Sequence, residues 1–182
     1  MANTSVNHVL HAVSCTSASA CTAVGSQGFK TLAEAWNGAT WSLQPTPHPE
    51  QGLHLLLGVS CTSPSACTAV GTAYDGVLAE SWNGTSWSIQ PTPGPTTRLP
   101  AELAGVSCPT ATACTAVWNT GHRTIAAGWN GTSWTLQRTA SPAGSTVHLL
   151  GSVSCVPAGG CTAVGAYETS LGGWRTLAEA RP

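Results

Sequence analysis

One short sequence unit occurs four times along the chain, and this repetition constrains the fold more than any other feature. Each unit contains V-S-C and, after five intervening residues, C-T-A-V. The first cysteines of successive units are 46 or 47 residues apart. These motifs are followed by a variable segment, then by T-L-A-E-A-W-N-G, and then by W-S-L-Q-P, with small changes between units. We therefore predict four copies of one structural unit, at approximately residues 8–47, 53–93, 101–142 and 148–182.

The repeated stretches of each unit have the properties of β-strands. They are four to seven residues long and are bounded by Gly, Pro, Asn or Ser. The Asn-Gly pairs predict a tight hairpin, and the prolines, which cannot donate to a strand ladder, mark the links between units. Four such strands, labelled a to d, fill each unit. A four-stranded meander with this period is typical of a β-propeller blade, so we predict that residues 1–182 form one all-β propeller.

The hairpins between strands c and d carry a resemblance to known repeats. The W-N-G-x-x-W sequences at residues 36–41, 82–87 and 129–134 resemble the hairpins of kelch-like and Asp-box-like propellers. The units with paired cysteines are similar to repeats of secreted bacterial propeller proteins. The Asp-box pattern itself is not matched, because Asn stands in place of its Asp and the glycine spacing differs. The resemblance implies the propeller fold and leaves the function open, since propellers host many activities.

The fourth unit is shorter than the other three. The chain reaches Arg181 and Pro182 where the other units continue with W-N-G, so the last hairpin and strand d are missing. The repeat therefore supplies about fifteen strands, or about 3.7 blades. The chain could be a fragment of a larger propeller, a four-bladed ring with one incomplete blade, or part of a homo-oligomer that covers the open edge. Of these arrangements we favour a closed or nearly closed ring.

The eight cysteines fall into four pairs with the same short spacing, and we expect each pair to form a disulfide in an oxidising compartment. A disulfide that closes so short a loop is worth about 2 kcal/mol. The alternatives are reduced cysteines packed as small apolar side chains, or a zinc site, which the C-x5-C spacing disfavours. The first four residues show no signal peptide, which fits a trimmed chain or counts against secretion. The expected pairs are Cys15 with Cys21, Cys61 with Cys67, Cys108 with Cys114, and Cys155 with Cys161.

The composition excludes several classes of partner. Only 7% of the residues are charged, with six Lys and Arg against seven Asp and Glu. A nucleic-acid surface needs clustered cations to displace phosphate counterions, and a polybasic membrane anchor needs a similar cluster. No apolar run reaches the ~20 residues that span a bilayer. We therefore expect no nucleic-acid partner, no membrane partner and no cofactor.

The meander predicts two rims with different properties. The cysteine turns and the Asn-Gly turns share one rim, and they are nearly the same in every unit. The b–c loops and the Pro-rich links share the other, which we call the variable rim (b–c loops at residues 26–30, 72–76, 118–123 and 166–175). Each of these loops combines an aromatic residue with a polar or charged one. An aromatic ring can pack on the C–H face of a sugar while polar groups bond its hydroxyls.

We therefore predict a carbohydrate site on the variable rim. The alternative is that the aromatic residues of the loops cap the core under exposed loops. Gln27 would add a polar contact to the site. The predicted site residues are Phe29, Tyr74, Asp75, Trp118, His122, Arg123, Tyr167, Glu168 and Trp174.

Three histidines occupy equivalent positions before V-S-C, and Ala101 takes the remaining place. Strand a is innermost in a propeller, so His8, His54 and His148 could converge near the axis and hold a metal or an anion. The alternative, which we favour because a fourth ligand is missing, is a polar residue at the end of each inner strand. We therefore expect no metal site.

Other residues repeat with the framework. We expect the two Trp residues of each Asn-Gly hairpin to stack across the strands, with one sugar platform per blade as the alternative. Glu34, Glu80 and Glu179 occupy equivalent positions, while Ala127 takes the third. An incomplete set of this kind indicates a structural hydrogen-bonding role rather than an acid and base pair.

These observations favour a secreted, lectin-like binding module that uses the variable rim. The alternative is a structural or protein–protein interaction propeller without a small ligand. A glycoside hydrolase is the least favoured reading, because it needs two carboxyl groups about 5–10 Å apart. Only Asp75 and Glu168 offer acids on the b–c loops that do not follow the repeat. We expect a binding protein, with a glycan as its partner, rather than an enzyme.

Overall fold

The computed structural model describes residues 7–47, 52–74, 76–93, 101–120, 123–139, 142–157 and 159–181, except for the side chains of residues 101–104 and 181. The regular structure in these ranges consists of fifteen β-strands in four antiparallel sheets. Three sheets have four strands and one has three, and each is a meander in chain order. The predicted all-β architecture of repeated blades is confirmed. No helix in the described ranges is long and apolar enough to cross a membrane.

The four sheets, called blades 1 to 4, follow the repeats of the sequence. Blade 1 contains β1 (His8–Ser17), β2 (Ala20–Gln27), β3 (Lys30–Trp36) and β4 (Trp41–Gln44). Blade 2 contains β5 (Leu55–Ser63), β6 (Ala66–Ala73), β7 (Gly76–Trp82) and β8 (Trp87–Gln90). Blade 3 contains β9 (Ala101–Thr110), β10 (Ala113–Thr120), β11 (Arg123–Trp129) and β12 (Trp134–Gln137). Blade 4 contains β13 (Ser145–Cys155), β14 (Cys161–Thr169) and β15 (Trp174–Arg181).

A bulge in the first strand of a blade explains why glycine follows C-T-A-V in three of the units. The β1–β2 ladder shifts register between Leu10 and Ala12, and Gly25 faces this point. A Cβ atom on Gly25 would lie 1.8 Å from the carbonyl oxygen of Val9. Gly71 and Gly165 meet the same obstacle in blades 2 and 4. Glycine therefore lets the bulged strand approach its neighbour in these three blades, whereas blade 3 has the same register shift with Trp118 at the equivalent position.

All four predicted disulfides are formed, and the described residues include no free cysteine. Cys15 and Cys21 face each other across the β1–β2 ladder, with their Cα atoms 3.9 Å apart. The disulfides therefore clip the a–b turns, on the rim opposite the variable rim.

The c–d hairpins are fixed by Asn side chains and by paired Trp rings. Asn37 Oδ1 accepts hydrogen bonds from the backbone N–H groups of Ala39 and Thr40, both at 2.9 Å. The two Trp rings of each hairpin are in contact, with centroids 5.6, 5.8 and 5.6 Å apart in blades 1, 2 and 3. Trp36 Nε1 donates to the carbonyl oxygen of Ala18 in the cysteine turn, and this bond ties the two turns of that rim together.

Each hydrophobic core cluster lies between two neighbouring blades rather than within one of them. Val24 and Ala33 of blade 1 pack with Leu56 and Val59 of blade 2. Corresponding clusters join blade 2 to blade 3 and blade 3 to blade 4. The first strands also pack in series, β1 on β5, β5 on β9 and β9 on β13. A single blade therefore buries its apolar side chains only when another blade covers them.

The series of blades does not close on itself, which corrects the expectation of a closed or nearly closed ring. No packing comparable to that between neighbouring blades joins β13 to β1 among the described residues. Leu10 of blade 1 is 47% exposed, whereas its equivalent Leu56 is 0% exposed. Val164 of blade 4 is 48% exposed, whereas its equivalent Val24 is 0% exposed. Four blades packed in this way form an open arc with an apolar face at each end.

A hydrogen bond between side chains of neighbouring blades shows what the missing fourth strand of blade 4 would contribute. Trp87 Nε1 donates to Gln44 Oε1 at 2.9 Å, and Trp134 Nε1 donates to Gln90 Oε1 at 2.9 Å. In blade 3, Oε1 of Gln137 is buried and has no partner among the described residues. The Trp that would donate to it belongs to a strand d that blade 4 lacks.

We expect Gln90 and Gln137 to respond differently to replacement by leucine. Gln90→Leu leaves the buried Nε1 of Trp134 without an acceptor and should lower the free energy of unfolding by about 1–3 kcal/mol. Gln137→Leu removes an oxygen that is already unpaired and should have little effect or stabilise the protein. Guanidinium titrations followed by tryptophan fluorescence measure both values. Equal losses in the two variants would contradict this assignment.

Candidate functional site

The variable rim is formed by the b–c turns together with the chain segments that precede each first strand. The N–H of Gly28 donates to the carbonyl oxygen of Asn7 at 2.8 Å. The N–H of His54 donates to the carbonyl oxygen of Phe29 at 2.9 Å, and Ser170 N donates to Gly144 O at 2.9 Å. These backbone bonds tie the turns to the entering chain. The rim is therefore braced at blades 1, 2 and 4.

Three aromatic side chains of the predicted site are exposed on this rim. Phe29, in the turn between β2 and β3, is 73% exposed. Tyr74, after β6, is 81% exposed, and Trp174, at the start of β15, is 55% exposed. They occupy the b–c turns of blades 1, 2 and 4. The rim thus presents one accessible ring on each of these blades.

Gly52 allows Tyr74 to lie close to the link between blades 1 and 2. A Cβ atom on Gly52 would lie 2.3 Å from the Cβ atom of Tyr74. Gly52 also has a φ of +95°, which L side chains rarely adopt. The backbone of the link therefore supports one side of this residue, while most of the side chain faces solvent.

Blade 4 brings an aromatic ring and a carboxylate together. Trp174 and Glu168 are paired across the β14–β15 ladder, and Tyr167 is paired with Arg175 in the next register position. Glu168 and Tyr167 are half-buried, while Trp174 is exposed. The hairpin is also longer than its equivalents, and Leu171 at its tip is 96% exposed. This hairpin is the largest projection among the described b–c turns.

The structure does not place Trp118 on the rim, which corrects the prediction from the sequence. Trp118 lies inside β10, is 3% exposed, and belongs to the core cluster between blades 2 and 3. Its position after C-T-A-V is that of Gly25 in the first unit, one residue earlier than the loop. Aligning the units on this motif would have assigned Trp118 to strand b. Its ring is not accessible to a ligand.

The remaining predicted site residues divide into two groups. Arg123 is exposed at the start of β11, beside the b–c turn of blade 3, and Gln27 is half-buried at the end of β2. Asp75 and His122 lie outside the described residues. The pairing of Asp75 with Glu168 as hydrolase carboxyl groups therefore stays a prediction.

The three equivalent histidines do not form a common site. In the described part of the chain, no three His, Cys, Asp or Glu side chains are grouped so that they could hold a metal ion. His8 is exposed at the start of β1, whereas His54 and His148 are buried. Nε2 of His148 contacts the hydroxyl of Ser145. The three side chains therefore do not provide a shared set of metal ligands in the described ranges.

A groove between blades 1 and 2 opens on the rim opposite the variable rim, and the sequence analysis did not single it out. Its volume is about 280 Å³, and its lining includes Ser14, Thr16, Trp36 and Gln44. A smaller groove of about 70 Å³ lies between blades 2 and 3, with Trp82 and Gln90 in the equivalent places. Because these residues repeat along the sequence, they were interpreted as structural. The groove forms only where two blades pack together, so the sequence of one unit does not predict it.

Glu80 is a buried acid without a hydrogen-bond partner. It is 0% exposed between blades 1 and 2, and neither of its carboxyl oxygens has a partner among the described residues. Burial raises its pKa to about 8. The hydroxyl of Thr31 lowers this pKa slightly but lies outside hydrogen-bond distance, and it donates instead to Thr46 Oγ1 at 2.9 Å. A carboxyl group so enclosed cannot touch a substrate, so Glu80 acts within the interface between the blades.

The chain has structural neighbours but no sequence relatives among curated proteins. No protein-family model matches it, and no curated protein sequence matches it. The fungal Aleuria aurantia lectin, described as a six-bladed β-propeller with a novel fucose recognition mode, aligns with 87% of this chain at a TM-score of 0.59 and 11% identity. The SapL1 lectin in complex with α-methyl fucoside aligns with 93% of this chain at a TM-score of 0.54 and 11% identity.

The extent of these alignments limits what they establish. This chain spans 52% of the length of the Aleuria aurantia lectin and 64% of the length of SapL1. At this level of identity the likeness establishes the β-propeller fold alone. Kelch-like or Asp-box-like membership, bacterial origin and secretion stay predictions.

The buried carboxyl group of Glu80 should make the stability of the protein depend on pH. The folded protein keeps this proton up to about pH 8, whereas the unfolded chain releases it near pH 4.5. The free energy of unfolding should therefore fall by up to about 1.4 kcal/mol per pH unit between these two values, through this group alone. Glu80→Gln should remove that fall. The difference between the wild-type and variant titrations isolates Glu80 from other titrating groups.

Glu34→Gln provides the matched control, because Glu34 is the equivalent residue in blade 1 and is only half-buried. We expect Glu80→Gln, but not Glu34→Gln, to be more stable than the wild type at pH 8. A Glu80→Gln profile as steep as that of the wild type would show that the carboxyl group is hydrated in solution.

Proposed function

We propose that this chain is a carbohydrate-binding module and that its ligand lies on the variable rim. The observation that carries the proposal is the exposure of Phe29, Tyr74 and Trp174 on one rim of the arc. These rings differ from Trp118, which is 3% exposed and belongs to a core cluster. Exposed rings of this kind pack on the C–H faces of sugars. The cost of leaving them in water is offset when a ligand covers them.

Polar groups for the sugar hydroxyls lie next to the rings. Glu168 is paired with Trp174 across the ladder and supplies carboxylate acceptors. Gln27 precedes the turn that holds Phe29, and the Arg123 side chain is exposed beside the turn of blade 3. Both signs of charge are few in the whole chain, with a formal net charge of -1. This surface suits a neutral sugar better than a strongly charged one.

The structural neighbours support the class of ligand. Two of them are propeller lectins whose descriptions name fucose recognition or a bound methyl fucoside. The rings of this chain differ from blade to blade, so each would contact a sugar differently. Several weak contacts on one rim would give useful avidity for a glycan-coated surface. The four disulfides suit an extracellular place of action, in keeping with a secreted protein of kelch-like or Asp-box-like type.

A protein–protein interaction propeller is the second candidate function. The observation that favours it is the hairpin of blade 4, where Leu171 is almost fully exposed beside Trp174. A leucine at the tip of a turn adds apolar surface that a sugar does not need. Contiguous exposed apolar surface of this kind can mark a protein–protein interaction site.

A glycan array that includes α-linked fucosides tests the first candidate, followed by titration calorimetry with the best glycan. We expect Phe29→Ala, Tyr74→Ala and Trp174→Ala each to weaken binding by about 2- to 10-fold. The melting temperature should change little because the three side chains are exposed. Leu171→Ala is the matched control, since it removes an exposed apolar side chain from the same rim without removing a ring.

Two outcomes would reject the proposal. A folded protein that binds no glycan on the array is not a lectin, and loss of partner-protein binding in Leu171→Ala would then favour the second candidate. If a variant that lacks all three rings binds the glycan as tightly as the wild type, the ligand does not bind at the variable rim. Trp36→Ala would then test the groove between blades 1 and 2.

A further inference from the structure

The two ends of the arc present faces that are covered everywhere else in the molecule. The front face belongs to blade 1 and contains Leu10, Val13, Cys15 and Glu34. The back face belongs to blade 4 and contains Ser154, Val164, Thr176 and Ala178. Leu10, Val13, Val164 and Ala178 are exposed, and their equivalents that face a neighbouring blade are buried or nearly so. Each end face is thus one half of an interface that this chain forms three times.

We infer that the front face of one copy binds the back face of a second copy of this chain, head to tail. The two faces do not meet within one chain, because β13 does not pack on β1 among the described residues. The back face of a second copy carries the residue types that cover the equivalent front-facing surfaces of blades 2 and 4 within one chain. This contact continues the interface between neighbouring blades, and it does not depend on the proposed sugar site.

A repeated hydrogen bond between blades has one acceptor and one donor left over at the two ends. The N–H of the first cysteine in one blade donates to the serine hydroxyl of V-S-C in the preceding blade. The three donor and acceptor pairs are Cys61 N with Ser14 Oγ at 3.0 Å, Cys108 N with Ser60 Oγ at 3.0 Å, and Cys155 N with Ser107 Oγ at 2.9 Å. Ser154 on the back face and Cys15 on the front face are the remaining members of the series. Head-to-tail contact would pair them.

A second pattern concerns one pair of positions at each interface between blades, where Glu in one blade goes with Thr in the preceding blade and Ala goes with Val. Glu80 of blade 2 and Thr31 of blade 1 are both buried where these two blades meet. In the next interface the equivalent residues are Ala127 and Val77, which share one apolar cluster. The interface between blades 3 and 4 returns to the first pattern in the sequence, with Glu179 in the place of Glu80 and Thr124 in the place of Thr31. A Glu in one blade therefore accompanies a Thr in the preceding blade.

The end faces carry the same combination. The front face carries Glu34, and the back face carries Thr176 at the position that Thr31 and Thr124 occupy in the two internal interfaces with a Glu. A blade with the alternative residue, such as Val77 in blade 2, would bury this carboxyl group against a branched apolar side chain. The back face of blade 4 therefore fits the front face more closely than a copy of blade 2 would.

Contact of this type joins two different surfaces, so copies add in one direction until a ring closes or the series ends. One hydrogen bond of the internal interfaces is absent from it. Trp41 on blade 1 is equivalent to Trp87, whose Nε1 donates to a glutamine of the preceding blade. Blade 4 has three strands in the described ranges, and the glutamine of the internal interfaces belongs to strand d. A contact between the two faces as described therefore lacks this hydrogen bond.

Analytical ultracentrifugation of the wild type and of two end-blocked variants tests the inference. Val13→Asp blocks the front face and Val164→Asp blocks the back face, and both positions are exposed in the single chain. We expect the wild type to sediment as a multiple of 18.4 kDa at micromolar to submillimolar concentration. Each blocked variant alone should sediment at 18.4 kDa. An equimolar mixture should form a dimer and nothing larger, because only one productive pair of faces remains.

A second set of variants tests the rule for Glu and Thr in the same mixed dimer. Thr176→Val in the front-blocked copy should raise the dissociation constant about tenfold, because it faces Glu34 with a valine. Adding Glu34→Ala to the back-blocked copy should restore the affinity, since it recreates the pattern of Val77 and Ala127. Leu171→Asp, on the variable rim and outside both faces, should leave the mass of the wild type unchanged.

Circular dichroism establishes that each variant is folded, and Val13→Ser and Val164→Ser replace the Asp variants if these unfold. The inference would be overturned if the wild type stayed at 18.4 kDa at all concentrations, which would mean that a second copy does not cover the end faces. It would also be overturned if either blocked variant assembled alone, or if the mixture of the two variants stayed monomeric.

Discussion

The burial of apolar side chains between neighbouring blades is the interaction on which the rest of this structure depends. No blade has a core of its own, because its apolar side chains point towards the blades on either side. Val24 is fully buried because blade 2 covers it, while Val164 at the same position in blade 4 is half exposed. Stability in such a molecule accumulates with each contact between neighbours, as in other repeat proteins.

This arrangement separates the residues that hold the blades together from those that can vary. The interfaces use the strand residues that repeat in every unit, and the disulfides and Trp pairs secure the rim on one side. The turns of the variable rim contribute little to any interface. Phe29 and Tyr74 therefore occupy equivalent turns without sharing a structural role, and selection for binding can act on them without loss of the fold.

The sequence predicted the features that short spacing determines. The five residues between the cysteines and the Asn-Gly turn of the first three units place the strands, so the disulfides and the sheet order followed directly from the repeat. The prediction that Trp118 lies in a loop is wrong because the residue that follows C-T-A-V still belongs to the second strand of the blade. The open arc could not be predicted, because the rotation between blades depends on side chains such as Leu56 and Val24 that meet across the interface.

The buried acid of blade 2 shows how nearly identical interfaces can be kept distinct. Repeated blades can pair in the wrong order, since each apolar face fits several others almost equally well. Glu80 weakens the interface in which it lies, because its carboxyl oxygens are buried without hydrogen bonds. A preceding blade that presented Val77 instead of Thr31 would place an apolar side chain, in place of a hydroxyl group, beside this buried carboxyl group. A buried polar residue can in this way lower the stability of one interface and also disfavour wrong pairings, as buried polar residues that fix register do in other proteins.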